Sequence, residues 1–373
     1  MDFAVSSAQD TLISEAGGFA GRLAAQFGGD PPMTRDVWKF WGAEGWLGVC
    51  VPREYGGRGE DLLSAVLAFE AMGRAGVARS QLFAVGAHLF GCCMALVRHG
   101  AEAQRSEWLP RLARGEAIGA LAFSEPAGGS DLASCETRLE SSEEGYRLNG
   151  RKSLVTNGAL ADLFVMLARM PSAPAPLNVS TLLLGRDSPG LTIDPLEATE
   201  GLRHSNQAEL AMLGCPVAQA DLLGHPGGGM GILLSVMQCE RSCILAGFLG
   251  ALERDLVAVT AHLTERGASG HQAVLHRLAT IRTRLETARW LMYRAAWGAD
   301  RGEKPLLHAS MSKLTVSTTL VECTKELAEL ASGEAWKGRF GLGRALADAI
   351  GTLSASGTSH VQLNTIGALL ERE

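Results

Sequence analysis

The apolar pattern of this chain changes period twice, and that limits its possible folds more than any other feature. Residues 1–117 carry apolar residues three and four apart, in long segments broken at "GGDPP" (28–32) and "PREYGGRG" (52–59). This is the spacing of helices. From 118 the texture shortens. "IGALAFSE", "YRLNGRKSLVT", "DLFVMLAR" and "STLLLG" are brief, apolar and punctuated by Gly, Asn and Pro, as strands are. "APAPLN" (173–178) and "HPGGGMG" (225–231) read as loops, and the second closes this region. Helical spacing then returns in bundle-length segments at 232–266, 275–302, 308–333 and after 340. The expected order is a helical domain (1–117), a compact β domain (118–226) and a helical bundle (227–373).

Composition narrows the function classes. A net charge of -6 leaves no basic excess to neutralise phosphates, so nucleic acid is not the expected partner. The longest nearly apolar run, 82–97, is short for a membrane span and contains His88, so no membrane insertion is expected. The start has acids and no basic segment before an apolar core, so no signal peptide is read. Eight cysteines, none in a C-x-x-C pair, fit reduced thiols in a cytoplasmic protein. His271 and His276 are five apart and do not share a helical face, so no metal site is expected.

Three stretches carry chemistry. "FSEPAGGSD" (123–131) sets hydroxyls and paired glycines after a strand, where backbone approaches a ligand closely or simply turns. "NGRKSLVTNGALAD" (149–162) has two Asn-Gly steps around a short strand, which alone signals a hairpin. "MQCERSCILAG" (237–247) places Glu240 and Arg241 inside an apolar helix, where a buried ion pair is the plain reading.

Together with "VPREYGG" (51–57), "WLPRLARGEAIGALAFSEPAGGSD" (108–131) and "GLRHSNQAELAM" (201–212), these stretches resemble the acyl-CoA dehydrogenase family. The resemblance runs from about residue 36 to the C-terminus, and the second half looks most like the isovaleryl-CoA branch. It implies a mostly α fold with a β-barrel middle domain, followed by a four-helix bundle. It implies FAD between barrel and bundle, in a homodimer or homotetramer whose neighbour helps hold the cofactor. The implied activity is α,β-dehydrogenation of an acyl thioester carried by coenzyme A or acyl carrier protein, with an electron-transfer flavoprotein as acceptor.

The resemblance also assigns residues. Phe123, Ser124, Thr156, Arg266, Gly333 and Thr358 fall on cofactor positions, and Ser130 and Arg241 on substrate positions. Most of the family takes its catalytic glutamate from just before a C-terminal Gly-Thr, where this chain has Ser356 in "SASGTS". Only the Ser356 backbone N–H remains there as a donor to a thioester carbonyl. The isovaleryl branch draws its base from a Glu-Arg pair on a bundle helix, which places the base at Glu240. Burial would strengthen such a base.

Several cofactor positions depart from the pattern. Ser269 replaces an aromatic, Glu329 a glutamine, Leu154 a tryptophan and Ala347 an arginine. A glutamate near a pyrophosphate would repel it. The alternative reading is a repurposed fold: a flavin-dependent oxygenase, a non-redox thioester enzyme, or a subunit without FAD that binds a partner.

Overall fold

A computed structural model describes residues 4–171, 173–174, 178–196, 199–303 and 305–370. Of the loop expected at 173–178, residues 175–177 lie outside them.

Six helical segments come first: α1 (Ser7–Phe27), α2 (Arg35–Ala43), α3 (Leu62–Ala75), α4 (Arg79–Gly86), α5 (Met94–His99) and α6 (Glu102–Ala113). Their starts follow from local chemistry. Ser6 and Gln9 form a reciprocal capping box on α1, Thr34 caps α2, and Asp61 accepts from the Ser64 amide at 2.7 Å on α3. Between α4 and α5 the chain continues as a π-helical turn, Ala87–Cys93, so 79–99 is one continuous buried helix. Such turns break the regular hydrogen-bond ladder and often mark functional sites.

Eight strands follow: β1 (Gly119–Ala122), β2 (Arg138–Ser142), β3 (Gly145–Val155), β4 (Leu163–Arg169), β5 (Val179–Gly185), β6 (Leu191–Pro195), β7 (Ala208–Val217) and β8 (Leu222–Leu223). They form one sheet in the order β6-β7-β3-β2-β4-β5-β8, with β1 parallel to β4. The barrel that the resemblance implies thus takes the form of a single sheet wrapped on its own core, and no ladder joins the end strands β6 and β8 among the described residues. β4 explains its unbroken apolar run. Phe164, Met166 and Ala168 enter the sheet's core, while Leu163, Val165 and Leu167 enter the helical core.

Two local expectations change. Asn149–Gly150 is not a turn: it sits inside β3 at a register shift, and the Asn149 side chain accepts from the Gly214 amide at 2.8 Å. The extra residue of that shift lies on β7, where Leu213 and Gly214 stand opposite Asn149 as a bulge. Only Asn157–Gly158 turns the chain, with Asn157 at φ 67. The long helix read over 232–266 is two helices, α7 (Gly229–Cys243) and α8 (Ala246–Glu265), broken at Ile244–Leu245 with no Gly or Pro to announce it.

The bundle continues with α9 (Gln272–Arg301), α10 (Pro305–Ala331), the short α11 (Gly333–Trp336), α12 (Leu342–Ser354) and α13 (Ser359–Leu370). One core runs from α1 through α12, so the first helices and the bundle share a single apolar interior. The helical segments 79–99 and 229–265, the second interrupted at Ile244–Leu245, are long and apolar enough to cross a membrane, but 94% and 83% of their most apolar windows are buried within the protein. Buried charge ties the same helices together. Glu70 of α3 accepts from Arg289 Nε at 2.7 Å and from the Tyr293 hydroxyl at 2.6 Å, both on α9. Glu253 of α8 accepts from Arg74 and Arg289, each at 2.8 Å.

α3 and α8 cross so closely that only glycine fits. A Cβ added at Gly250 would lie 1.9 Å from the Glu70 carbonyl oxygen. Gly250→Ala is expected to cost about 1–3 kcal/mol in chemical denaturation, because backbone must move. Gly343→Ala, on α12 with nothing within 4 Å of the added carbon, is expected to be neutral or stabilising by about 0.5–1 kcal/mol.

Candidate active site

A cavity of about 720 Å³ opens where the sheet meets the bundle. On the sheet side it is lined by Phe123, Ser124, Ser130 and Thr156. On the helix side it is lined by Glu240 and Arg241 of α7 and by Ser356 and Thr358 of the α12–α13 turn. Arg266 and Gly333 are not brought there. Arg266 is exposed at the end of α8, and Gly333 is exposed at the start of α11.

Glu240 is 7% exposed and makes one hydrogen bond: the Ser356 hydroxyl donates to its Oε1 at 2.6 Å. Its Oε2 is buried with no partner among the described residues. Burial pushes the Glu240 carboxyl above its ordinary value, against the opposing pull of the Ser356 hydroxyl and the Arg241 charge. The adjacent arginine is not its partner. Consecutive helix residues project about 100° apart, and Arg241 Nε instead donates to the Ser356 carbonyl at 2.9 Å. The plain reading of a Glu240–Arg241 ion pair therefore fails, and no salt bridge reaches Glu240 among the described residues.

The turn facing Glu240 is held from several sides. Gln362 of α13 donates to the Ser356 and Gly357 carbonyls at 3.3 and 3.0 Å. Lys313 of α10, 1% exposed, donates to the Leu353 carbonyl at 3.0 Å. Burial, helped by the nearby Arg241 charge, pulls the Lys313 ammonium down to about 8. Ser356 has φ 56, a left-handed conformation disfavoured for a residue with a side chain. Leu154 (φ 53) and Leu202 (φ 56) line the same cavity. Strain of this kind persists where surrounding structure enforces it, and it clusters at functional sites.

The sheet wall is equally constrained. The Glu125 carboxylate accepts from Lys152 at 2.7 Å and from the Glu136 and Thr137 amides at 2.6 and 3.1 Å. Burial works against its ionisation, yet these donors hold Glu125 below its ordinary value. The loop 123–131 is pinned as a result. The Ser124, Ser130 and Thr156 hydroxyls line the cavity and are bonded to no other side chain or backbone group among the described residues. They are free donors for a polar ring or arm. Leu154, 64% exposed, adds an open apolar face beside them. Glu329, expected to repel a pyrophosphate, is bonded to Arg277 at 2.7 Å, which offsets its charge.

Sequence reasoning passed over several contributors. Gly91, in the π turn, lies against Glu240 Oε2, which is 3.7 Å from a Cβ built there. His88 of that turn accepts from the Gly119 amide at 3.0 Å through Nδ1, and burial pulls its pKa down to about 4, so it is neutral. Only an apolar run containing one histidine hinted at this. Lys313 and Gln362 had no signal beyond a polar residue on a helix.

Three sequence profiles match the chain: the acyl-CoA dehydrogenase N-terminal domain over residues 20–116, its middle domain over 120–215 and its C-terminal domain over 227–370. The chain belongs to the acyl-CoA dehydrogenase family. It is 36% identical to an L-prolyl-[peptidyl-carrier protein] dehydrogenase of Pseudomonas fluorescens, the match covering 91% of each chain. It is 34% identical to the mitochondrial isovaleryl-CoA dehydrogenase of Pongo abelii, over 89% of this chain and 80% of that one. The solved structure of PigA with FAD and proline superposes with a TM-score of 0.93 at 28% identity, covering 100% of this chain and 99% of that one. As a member of this family the protein is a flavin oxidoreductase acting on CH–CH groups, and FAD is its cofactor.

A buried carboxylate leaves a thermodynamic signature. Because the folded-state pKa of Glu240 is raised, its contribution to stability is present below the ordinary carboxylate pKa and lost as pH rises through the raised value. Glu240→Gln keeps an acceptor for the Ser356 hydroxyl and removes the charge. Its melting temperature is expected to exceed that of the wild type at neutral pH and to converge with it in acid.

Proposed function

We propose that the protein dehydrogenates the Cα–Cβ bond of a short or branched acyl thioester, with Glu240 as the base that takes the α-proton. The observation that carries this is Glu240 itself: a buried carboxylate with one oxygen free, on the wall of the one cavity that also holds the flavin-side hydroxyls. A structural glutamate would be paired, since an unpaired buried carboxylate costs stability. Leaving it unpaired has a use in proton abstraction, where a desolvated base of raised pKa is stronger.

The remaining roles follow from position. Phe123, Ser124, Thr156 and Thr358 hold the isoalloxazine ring and the chain attached to it. Arg266 and Gly333 reach the cofactor of a second copy of the chain, in a homodimer or homotetramer. When bound, FAD supplies the two-electron acceptor for the β-hydrogen. Ser130 and Arg241 line the path of the thioester's arm. The Ser356 amide, with no acceptor among the described residues, donates to the thioester carbonyl and stabilises the charge that develops there. The apolar walls, Phe83, Leu121 and Met237 among them, favour a compact apolar acyl group over a polar one.

The carrier is the finer question. Similarity to a dehydrogenase named for a peptidyl-carrier protein supports a carrier-bound acyl group, and similarity to isovaleryl-CoA dehydrogenase supports coenzyme A. We favour the carrier protein, because the first of these matches covers more of both chains. The setting is the cytoplasm, with an electron-transfer flavoprotein as electron acceptor.

The purified protein is expected to be yellow and to bleach anaerobically with a prolyl or isovaleryl thioester of pantetheine. Glu240→Gln is expected to retain FAD and to slow bleaching by at least about a thousandfold. Normal bleaching in that variant would remove Glu240 from the mechanism. A colourless protein that takes up no added FAD would favour the FAD-less partner subunit instead.

A further inference from the structure

We infer that the Ser356 hydroxyl is a positioning residue for Glu240, holding the carboxylate by Oε1 so that Oε2 alone is left to receive a proton. The inference rests on Glu240 being the base, and it gives a role to the side chain that stands where a second carboxylate would otherwise stand.

The geometry is specific. The Oγ–Oε1 distance of 2.6 Å is that of a strong bond to a charged acceptor, and it is the only hydrogen bond the carboxylate makes among the described residues. Without it a glutamate on α7 has free torsions, because neither oxygen would be tied. The bond is bidirectionally braced. Ser356 donates to Glu240 through its side chain, while its carbonyl accepts from Arg241 on the same helix at 2.9 Å. One turn of α7 therefore grips one residue of the α12–α13 turn at two points.

The backbone adds an independent argument. At φ 56, serine takes a conformation disfavoured for a residue with a Cβ, and glycine would fit without that cost. Gly357, the next residue, also has positive φ, at 95. A residue with a side chain is thus kept in a segment whose conformation suits glycine, and what that side chain adds is the bond to Glu240. Gln362 and Lys313, by holding the carbonyls of 353, 356 and 357, keep the turn where the hydroxyl reaches.

The charges around Glu240 are few. Among the described residues, Arg241, on its own helix, is the charge that acts on it. Lys313, from α10, faces Arg241. From the π turn, His88 is neutral, and the buried thiols Cys92 and Cys93 are pushed up by burial and stay protonated. Arg98 of α5 and Asp300 of α9 act on Cys239, the residue before the glutamate. Removing the Ser356 hydroxyl therefore removes the main group favouring the carboxylate, with no neighbour placed to replace it.

The test compares Ser356→Ala, which keeps the strained backbone, with Ser356→Gly, which relaxes it. The Glu240 carboxyl is followed by infrared spectroscopy of the holoenzyme across pH, identified as the carbonyl-stretch band absent from Glu240→Gln. Both Ser356 variants are expected to titrate at higher pH than the wild type. With isovaleryl or prolyl pantetheine, their anaerobic flavin bleaching is expected to fall about tenfold below the wild-type midpoint and to recover as pH rises. Equal midpoints in all three proteins would overturn the inference, and so would a shift in the alanine variant alone. Either result leaves the assignment of Glu240 to the separate bleaching test of Glu240→Gln.

Discussion

The hydrogen bond from the Ser356 hydroxyl to Glu240, braced by the one from Arg241 to the Ser356 carbonyl, joins the two halves of the site, and the surrounding packing brings its partners together. Glu240 sits on α7, packed between the sheet and the π turn of the 79–99 helix, while Ser356 sits on the turn between α12 and α13. Bringing those two segments together requires the bundle to close around α10, whose Lys313 reaches the turn from behind. The close α3–α8 crossing and the Glu70–Arg289–Glu253 network hold the first helices against that bundle. The cavity between bundle and sheet is what remains open after this packing.

The energetics of the site run against stability. An unpartnered carboxylate oxygen, a neutral buried histidine, a buried ammonium and three non-glycine residues at positive φ line or adjoin one cavity. Each is unfavourable by itself. Their concentration around one cavity separates a reactive site from a merely polar one. The Glu125–Lys152 pair shows the contrast. There the buried charges are matched and further bonded to two amides, so the pair itself is satisfied and left with no reactive oxygen.

How much of this was legible in sequence depended on the physical range of each signal. The change of hydrophobic period marked the helical and β regions because side-chain spacing is a local property. The two Asn-Gly steps misled in one case: Asn149–Gly150 has turn chemistry, yet pairing with β7 on one side and β2 on the other keeps it inside a strand. The break at Ile244–Leu245 carries no breaker residue, and the lone Gly91 of the π turn at 87–93 does not announce one, since tertiary packing produces both. Glu240 and Ser356 were visible only as oddities, a charge in an apolar helix and a serine before Gly-Thr. That they are bonded to each other, and that Arg241 turns away to a carbonyl, is a matter of long-range geometry that no local pattern records.

The central claim is that Glu240 removes a proton from the carbon next to the thioester. It is tested most directly where oxidation cannot follow. A tert-butylacetyl thioester of pantetheine has hydrogens on its α-carbon and none on its β-carbon, so proton removal can occur and hydride transfer cannot. In deuterated buffer the wild-type holoenzyme is expected to exchange those α-hydrogens for deuterium, and Glu240→Gln to do so at least about a thousandfold more slowly. Exchange at the wild-type rate in Glu240→Gln would contradict the account.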